Sequence, residues 1–132
     1  MKSTPFNPDT DLAPIPFTDQ VCSLAKRMKE QNLAWQPHVG CFVWDELELI
    51  EPSSPFPHRI YFILNLGHFL RRFETVQAIA ENLIWLPTWH QALQICKRLG
   101  VPDEKIIKGL DDNDQLESES LVFLYRLMLE HL

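Results

Sequence analysis

The chain has 132 residues, of which 45% are hydrophobic and 23% charged, and its formal net charge is −6. This length and composition predict one globular domain with a core of its own, and they exclude a disordered chain. The acidic balance disfavours non-specific binding to nucleic acid and to anionic membranes, because both are polyanions. The longest apolar runs, such as residues 60–64, are far shorter than the ~20 residues that span a bilayer, so no membrane partner is predicted.

The cysteines, Cys22, Cys41 and Cys96, are widely separated and include no CxxC pair. This pattern is typical of reduced thiols rather than of a disulfide framework. The beginning of the sequence also contains no apolar run of the kind that a signal peptide needs. Together these observations predict a cytoplasmic protein.

The N-terminal residues 1–17 are predicted to form an extended, proline-rich arm, and residues 18–132 a single helical domain. Four prolines fall within the first sixteen residues, and a proline disrupts the interior of a helix. Thr18 then has the position of an N-cap, and apolar residues recur at helical spacing after it. We therefore predict a first helix from about Asp19 to Gln31.

Residues 39–52 (VGCFVWDELELIEP) are rich in β-branched and aromatic side chains and then alternate leucine with glutamate. This pattern predicts a small β-hairpin at about 41–50, with its turn just after Trp44. Phe42 and Trp44 would face one side of that hairpin and Val43 the other. A short helix is the alternative, because the apolar residues of this segment also fit a 3.6-residue period.

The segment from His58 to Phe73 is apolar almost all round. A helix without a polar face is normally the buried centre of its domain. We therefore predict a buried helix here, with His68 as a core histidine. The next residues, 74–83, predict a short helix.

Two tryptophans flank Pro87 at the junction between two predicted helices. Proline biases the preceding residue towards an extended conformation, so we expect the earlier helix to end by about Trp85. Thr88 and Gln91 have the spacing of a capping box, which predicts that a new helix begins at Trp89. Trp89 belongs to the apolar stripe of that helix and is expected to be the more buried of the two indoles.

Start and stop signals in the last third of the chain predict three helices: 89–99, a short one from Pro102 to Gly109, and one over about 115–131. Gly100 is typical of a helix C-cap, and Asp112 and Gln115 have the spacing of a cap for the last helix. The predicted fold is therefore mainly α, a compact bundle of five or six helices with at most one small β-hairpin.

A helix-turn-helix transcription regulator that uses residues 75–100 is one alternative function. Its second helix would offer these polar side chains to DNA: His90, Gln91, Gln94, Lys97 and Arg98. The turn departs from the usual motif, because Ile84 stands where glycine is usual and the connection is longer and more apolar. These departures and the negative net charge disfavour a nucleic-acid partner.

Metal and nucleotide sites have little support in the sequence. His38 and Cys41 have a ligand-like H-x₂-C spacing, but zinc requires three or four such ligands. The four glycines are isolated from one another, so none belongs to a glycine-rich loop that could wrap a phosphate. We therefore predict no metal and no cofactor.

An enzyme with a site assembled from dispersed residues is a second alternative. The chain contains no nucleophile elbow and no HExxH motif. Residues far apart in sequence can still converge, and the candidates for general acid–base chemistry are His38, His58, His68 and His90, with Asp45 as a partner.

A protein-interaction or assembly module is the main functional prediction. Two segments, 60–70 and 121–132, are predicted to form nearly all-apolar helices, which a chain of this length can hardly cover by itself. A partner is then required, most simply an identical chain in a two-fold homodimer. Trp85, Phe123 and Leu127 are the residues predicted to lie on the interaction surface.

Overall fold

A computed structural model describes residues 7, 9–51, 54, 56–112 and 117–132, apart from the side chain of Asp112. Residues 1–6 and 8 of the predicted N-terminal arm lie outside these ranges. The predicted cap of the last helix also lies outside them, since it needs the side chain of Asp112 and Gln115. The described part of the chain is mainly helical with a small antiparallel sheet, which confirms the predicted fold class.

Six helices are present in the described ranges: α1 (Asp19–Glu30), α2 (Leu66–Phe73), α3 (Val76–Asn82), α4 (Trp89–Arg98), α5 (Asp103–Asp112) and α6 (Glu117–His131). The strands of the sheet are β1 (Phe42–Trp44), β2 (Ile60–Phe62) and β3 (Ile84–Leu86). A 3-10 turn, Pro57–Arg59, leads into β2.

β1 is the central strand of the sheet and pairs antiparallel with β2 on one side and with β3 on the other. Phe42 lies opposite Phe62 in β2 and opposite Leu86 in β3. The predicted minor β element is therefore present, but its pairing differs from a hairpin at 41–50. Both partners of β1 come from distant parts of the chain.

The second half of the predicted hairpin is a turn and not a strand. The buried carboxylate of Asp45 accepts hydrogen bonds from the backbone N–H groups of Leu49 (2.9 Å) and Ile50 (2.8 Å). An aspartate that bonds the following backbone in this way favours a turn over a ladder. The chain therefore leaves the sheet after Trp44.

The predicted helix over 58–73 is instead a strand, a tight turn and the short helix α2. Ile60 and Tyr61 are buried on opposite faces of the sheet, which is the alternation of a strand. Asn65 then caps α2, because its side-chain oxygen accepts a hydrogen bond from the Gly67 N–H at 2.9 Å. A short apolar run does not distinguish a buried strand from a buried helix by its periodicity.

The two faces of the sheet support separate hydrophobic clusters. The first cluster joins α1, α4, α5 and α6 to Ile60, Ile84 and Leu86, and the second joins α2 and α3 to Val43 and Tyr61. Phe42 and Trp44 pack against the first cluster while Val43 belongs to the second, so the predicted alternation along β1 is confirmed. The sheet is thus a thin layer between two groups of helices.

The last helix, α6, passes through the middle of the first cluster. Its buried residues are Ser120, Leu121, Leu124, Tyr125, Leu127 and Met128. They face α1 and α4, and the Tyr125 hydroxyl donates a hydrogen bond to the Pro87 carbonyl. Within the described part of the chain, none of the helices combines the length and apolarity that crossing a bilayer requires.

Local capping signals near α4 are found as predicted. Thr88 and Gln91 form the reciprocal capping box at its start. Gly100 follows its end with a φ of 84°, and the N–H of Val101 bonds to the carbonyl of Cys96 (3.0 Å), which is a Schellman motif.

Gly109 differs from the prediction, because α5 continues past it to Asp112. A Cβ atom at position 109 would collide with the ring of Phe123. This glycine therefore permits α5 to approach α6 closely and does not end a helix.

Candidate interaction surface at the open edge of the sheet

The three residues predicted for an interaction surface do not lie together. Trp85 is in β3 and packs in the second cluster, where its indole stacks on that of Trp35 at 5.5 Å. Phe123 and Leu127 belong to the first cluster, on the other side of the sheet, and Leu127 is only 3% exposed. Trp85 and Trp89 are both half-buried, so the greater burial expected for Trp89 stays a prediction.

The predicted DNA-contacting residues lie along α4. His90, Gln94, Lys97 and Arg98 are exposed, whereas the side chain of Gln91 is held in the capping box. A helix-turn-helix requires a tight turn between its helices. Here β3 lies between α3 and α4 and pairs with β1, so this local geometry is not formed.

The candidate histidines are all exposed and lie on separate elements, and His68 is not the core histidine that was predicted. α2 is only eight residues long and buries only its last residue, Phe73, fully. The Asp45 carboxylate accepts the hydrogen bonds of the turn and forms an ion pair with Arg59 at 2.7 Å. In the described ranges, no group of three His, Cys, Asp or Glu residues is arranged to hold a metal ion.

The cysteines are buried as free thiols. Cys41 is completely buried, while His38, its predicted companion in a ligand pair, is exposed. Burial raises the pKa of the Cys41 thiol, which favours the protonated form that does not bind zinc. This cysteine is therefore a small core residue.

The largest exposed apolar residues near one another lie at the open edge of the sheet, beside β2. Val39 is 56% exposed, Phe62 37% and Leu64 74%. They line one groove together with Leu66 and Phe69 of α2. We call these five residues the edge strip.

Local geometry explains why the edge strip is exposed. β2 is an outer strand, and the ring of Phe62 lies 4.8 Å from that of Phe42 without being covered on its other side. A tight turn follows, in which the N–H of Leu64 bonds to the Phe62 carbonyl at 3.1 Å. That turn and the Asn65 cap begin α2 at once, so Leu64 is left pointing outwards.

Some backbone carbonyls at the open edge of β2 already accept hydrogen bonds from within the chain. The backbone N–H and C=O groups of Ile63 bond on the β1 side of the sheet. In an antiparallel strand this alternates, so the backbone N–H and C=O groups of Ile60 and Phe62 point towards the open edge. The Ser54 hydroxyl donates a hydrogen bond to the carbonyl of Ile60, and the N–H of Leu64 donates one to the carbonyl of Phe62. A partner at this edge would therefore contact side chains rather than extend the sheet by another strand.

A cavity of about 530 Å³ lies between β2 and α2, next to the edge strip. Buried Tyr61 and Phe73 form its floor, and Ile50, Phe62 and Phe69 contribute further apolar walls. We call it the aromatic cavity. Burial raises the pKa of the Tyr61 phenol, against the opposing effect of the nearby Arg59 charge, so the floor of this cavity is uncharged at neutral pH.

The polar lining of the aromatic cavity is mostly basic. It consists of His68, Arg71, Arg72 and one carboxylate, Glu51. Arg72 is fixed in place, because its Nε donates to the Leu49 carbonyl at 2.8 Å and its guanidinium lies 5.3 Å from the Phe73 ring centre. The arrangement is thus an aromatic pocket with positive charge at its mouth.

Sequence reasoning missed both features because it placed 60–64 inside a buried helix. The available signal was the sequence Asn65-Leu66-Gly67, since asparagine is a favoured N-cap and would have started the helix there. A helix that starts at Leu66 leaves the preceding residues to a strand.

Comparison with known protein families, with curated proteins and with solved structures found no match to this chain. A function must therefore be inferred from its own residues and their geometry.

Proposed function

We propose that this chain is a cytoplasmic protein-interaction module that self-associates as a homodimer through the edge strip. The observation that carries the proposal is the exposure of Val39, Phe62 and Leu64 together in one groove beside the outer strand β2. Sheet edges are usually protected by charged residues or proline, and exposed apolar patches mark sites of association.

Segments 60–70 and 121–132 are not the two uncovered apolar helices that the sequence predicts. The segment 60–70 is divided between β2 and the beginning of α2, and the apolar residues of α6 are largely buried within the chain itself. The edge strip replaces these helices as the reason to expect a partner.

Charge favours a second copy as the occupant. The groove of the edge strip is lined by no Asp, Glu, Lys or Arg among the described residues, although the whole chain has a net charge of −6. Two identical acidic chains repel each other least where their surfaces are uncharged. A two-fold axis through such a strip brings the same apolar residues of both copies together.

The free, buried thiols fit a reducing compartment, which supports the cytoplasmic part of the proposal. The strip is short, so the interface would be small and its affinity modest. We therefore expect a dimer that dissociates on dilution.

Sedimentation equilibrium over a wide range of protein concentration tests the proposal. We expect the average mass to rise from 15.5 kDa towards twice that value for the wild-type chain. Leu64→Glu places a charge in the strip at a position that is 74% exposed, so it should leave the fold intact and abolish the rise.

The matched control is Ile107→Glu, since Ile107 is a comparably exposed apolar residue (60%) on α5. It should associate like the wild type. A wild-type chain that stays monomeric at every concentration would contradict self-association. A Leu64→Glu chain that dimerises normally would contradict the use of the edge strip.

A further inference from the structure

The aromatic cavity has the dimensions and lining of a small-molecule site. Its volume, about 530 Å³, is within the usual range for ligand pockets, which are mostly apolar with a few polar groups. Tyr61, Phe69 and Phe73 offer aromatic surface to an apolar ligand body. The buried floor is continuous with the second cluster, so the cavity is supported by packed residues.

Charge defines the other end of a ligand. Two guanidinium groups and an imidazole surround the cavity with a single carboxylate, Glu51, in a chain whose net charge is negative. The side chain of Arg71 is exposed to solvent, and Arg72 is held at the mouth by the Leu49 carbonyl. A guanidinium pairs with a carboxylate through two parallel hydrogen bonds.

The position of the arginines on α2 favours one negative charge over several. Both lie in the last turn of the helix, where the negative end of the helix dipole already attracts them. The same dipole opposes any anion in proportion to its charge, so it opposes a monocarboxylate less than a polyanion such as a nucleotide. The isolated glycines also provide no loop to wrap phosphates.

We infer that the aromatic cavity binds a small amphipathic carboxylate. The hydrocarbon or aromatic body of this acid contacts Tyr61, Phe69 and Phe73. Its carboxylate pairs with the guanidinium groups of Arg71 and Arg72. This inference does not depend on self-association, although Phe62 and Phe69 belong to both the cavity and the edge strip.

Calorimetric titration with decanoate, decanol and decylamine tests the inference, because these probes share one chain length and differ in charge. We expect one decanoate to bind per chain, decanol to bind more weakly and decylamine not to bind. Replacing the exposed Arg71 with glutamine should weaken decanoate binding by at least about tenfold and leave decanol binding unchanged.

Arg98→Gln on α4 is the matched control, since Arg98 is an exposed arginine outside the cavity. It should bind decanoate like the wild type. Repeating the titrations with Leu64→Glu prevents a second copy from covering the cavity and hiding a site. Equal binding of all three probes, no binding of decanoate by either chain, or an unchanged affinity in Arg71→Gln would each overturn the inference.

Discussion

The carboxylate of Asp45 lies 2.7 Å from the guanidinium of Arg59 and is completely buried. The same carboxylate accepts the backbone N–H groups of Leu49 and Ile50, and Arg59 also donates to the Ile50 carbonyl at 2.7 Å. This network fixes the turn that follows β1 against the residue that precedes β2. It also positions Ile50 and Tyr61 at the aromatic cavity, since the Arg59 guanidinium lies 6.0 Å from the Tyr61 ring centre.

Replacing Asp45 with alanine should destabilise the protein by about 3 kcal/mol, because it removes the charge partner of Arg59 and leaves two partly buried N–H groups without acceptors. Equilibrium unfolding in urea measures this loss. The matched control is Glu46→Ala, the next residue, whose ion pair with Lys26 (2.8 Å) is partly exposed to solvent. Glu46→Ala should change the free energy of unfolding little. Equal effects of the two substitutions would show that the buried network is not what stabilises this turn.

Gly109→Ala should destabilise the protein although alanine is the better helix former. The new methyl group would collide with the Phe123 ring, and overpacking costs about 1–3 kcal/mol against a helix-propensity gain of about 1 kcal/mol. We therefore expect a lower melting temperature by calorimetry. Adding Phe123→Leu to Gly109→Ala should restore most of the loss.

The control for this prediction is Lys108→Ala, an exposed position one residue earlier on α5. It should leave the melting temperature almost unchanged. If Gly109→Ala melts above the wild type, α5 and α6 do not approach each other as closely at this glycine as described.

Signals between residues close in sequence were read correctly. The capping box of Thr88 and Gln91 acts over three residues, and Gly100 needs only its own backbone conformation, so both could be predicted before any tertiary contact was known. The alternation of Phe42, Val43 and Trp44 was equally local. Each of these features follows from neighbouring residues alone.

Pairing over long distances could not be predicted in the same way. β1 pairs with strands that begin at Ile60 and Ile84, and nothing in residues 42–44 identifies either of them. Because the short apolar run of β2 fits a buried helix as well as a strand, the edge strip and the aromatic cavity could not be predicted. The exposure of Phe62 and Leu64 depends on β2 being the outer strand, which is a property of the assembled sheet.

The buried thiols make the free energy of unfolding depend on pH in the alkaline range. Burial raises the pKa of Cys22 to about 12 and that of Cys96 to about 11, from an ordinary value of 9.0. Above pH 9 the unfolded chain loses thiol protons that the folded chain keeps, so the free energy of unfolding falls as pH rises. The full contribution of these thiols is present below pH 9.

Urea unfolding in the presence of a reductant, measured from pH 8 to pH 10, tests this dependence. The window ends at pH 10, the ordinary pKa of a tyrosine phenol, because the buried Tyr125 phenol has a raised pKa as well and adds its own pH dependence at higher pH. Cys22→Ala should show a shallower fall than the wild type. An identical slope in both chains would show that Cys22 ionises equally in the folded and unfolded states.

The stacked pair of Trp35 and Trp85 gives a prediction that depends on a single N–H group. The two rings lie 5.5 Å apart and are inclined by 11°, and the buried Nε1 of Trp85 has no hydrogen-bond partner among the described residues. A buried donor without an acceptor costs about 1–3 kcal/mol.

Trp85→Phe removes that donor, which should stabilise the protein, and puts a smaller aromatic ring against Trp35, which should destabilise it. The two effects on the free energy of unfolding should nearly cancel. Trp85→Ala removes the ring and should destabilise the protein by about 3 kcal/mol or more. Trp89→Ala is the companion measurement, since Trp89 packs against the first cluster and should cost about 3–5 kcal/mol. Urea unfolding followed by far-ultraviolet circular dichroism compares the three chains without relying on tryptophan fluorescence. If Trp85→Phe is as unstable as Trp85→Ala, the indole N–H does find an acceptor in solution, and the stack owes its stability to that bond rather than to the contact of the two rings.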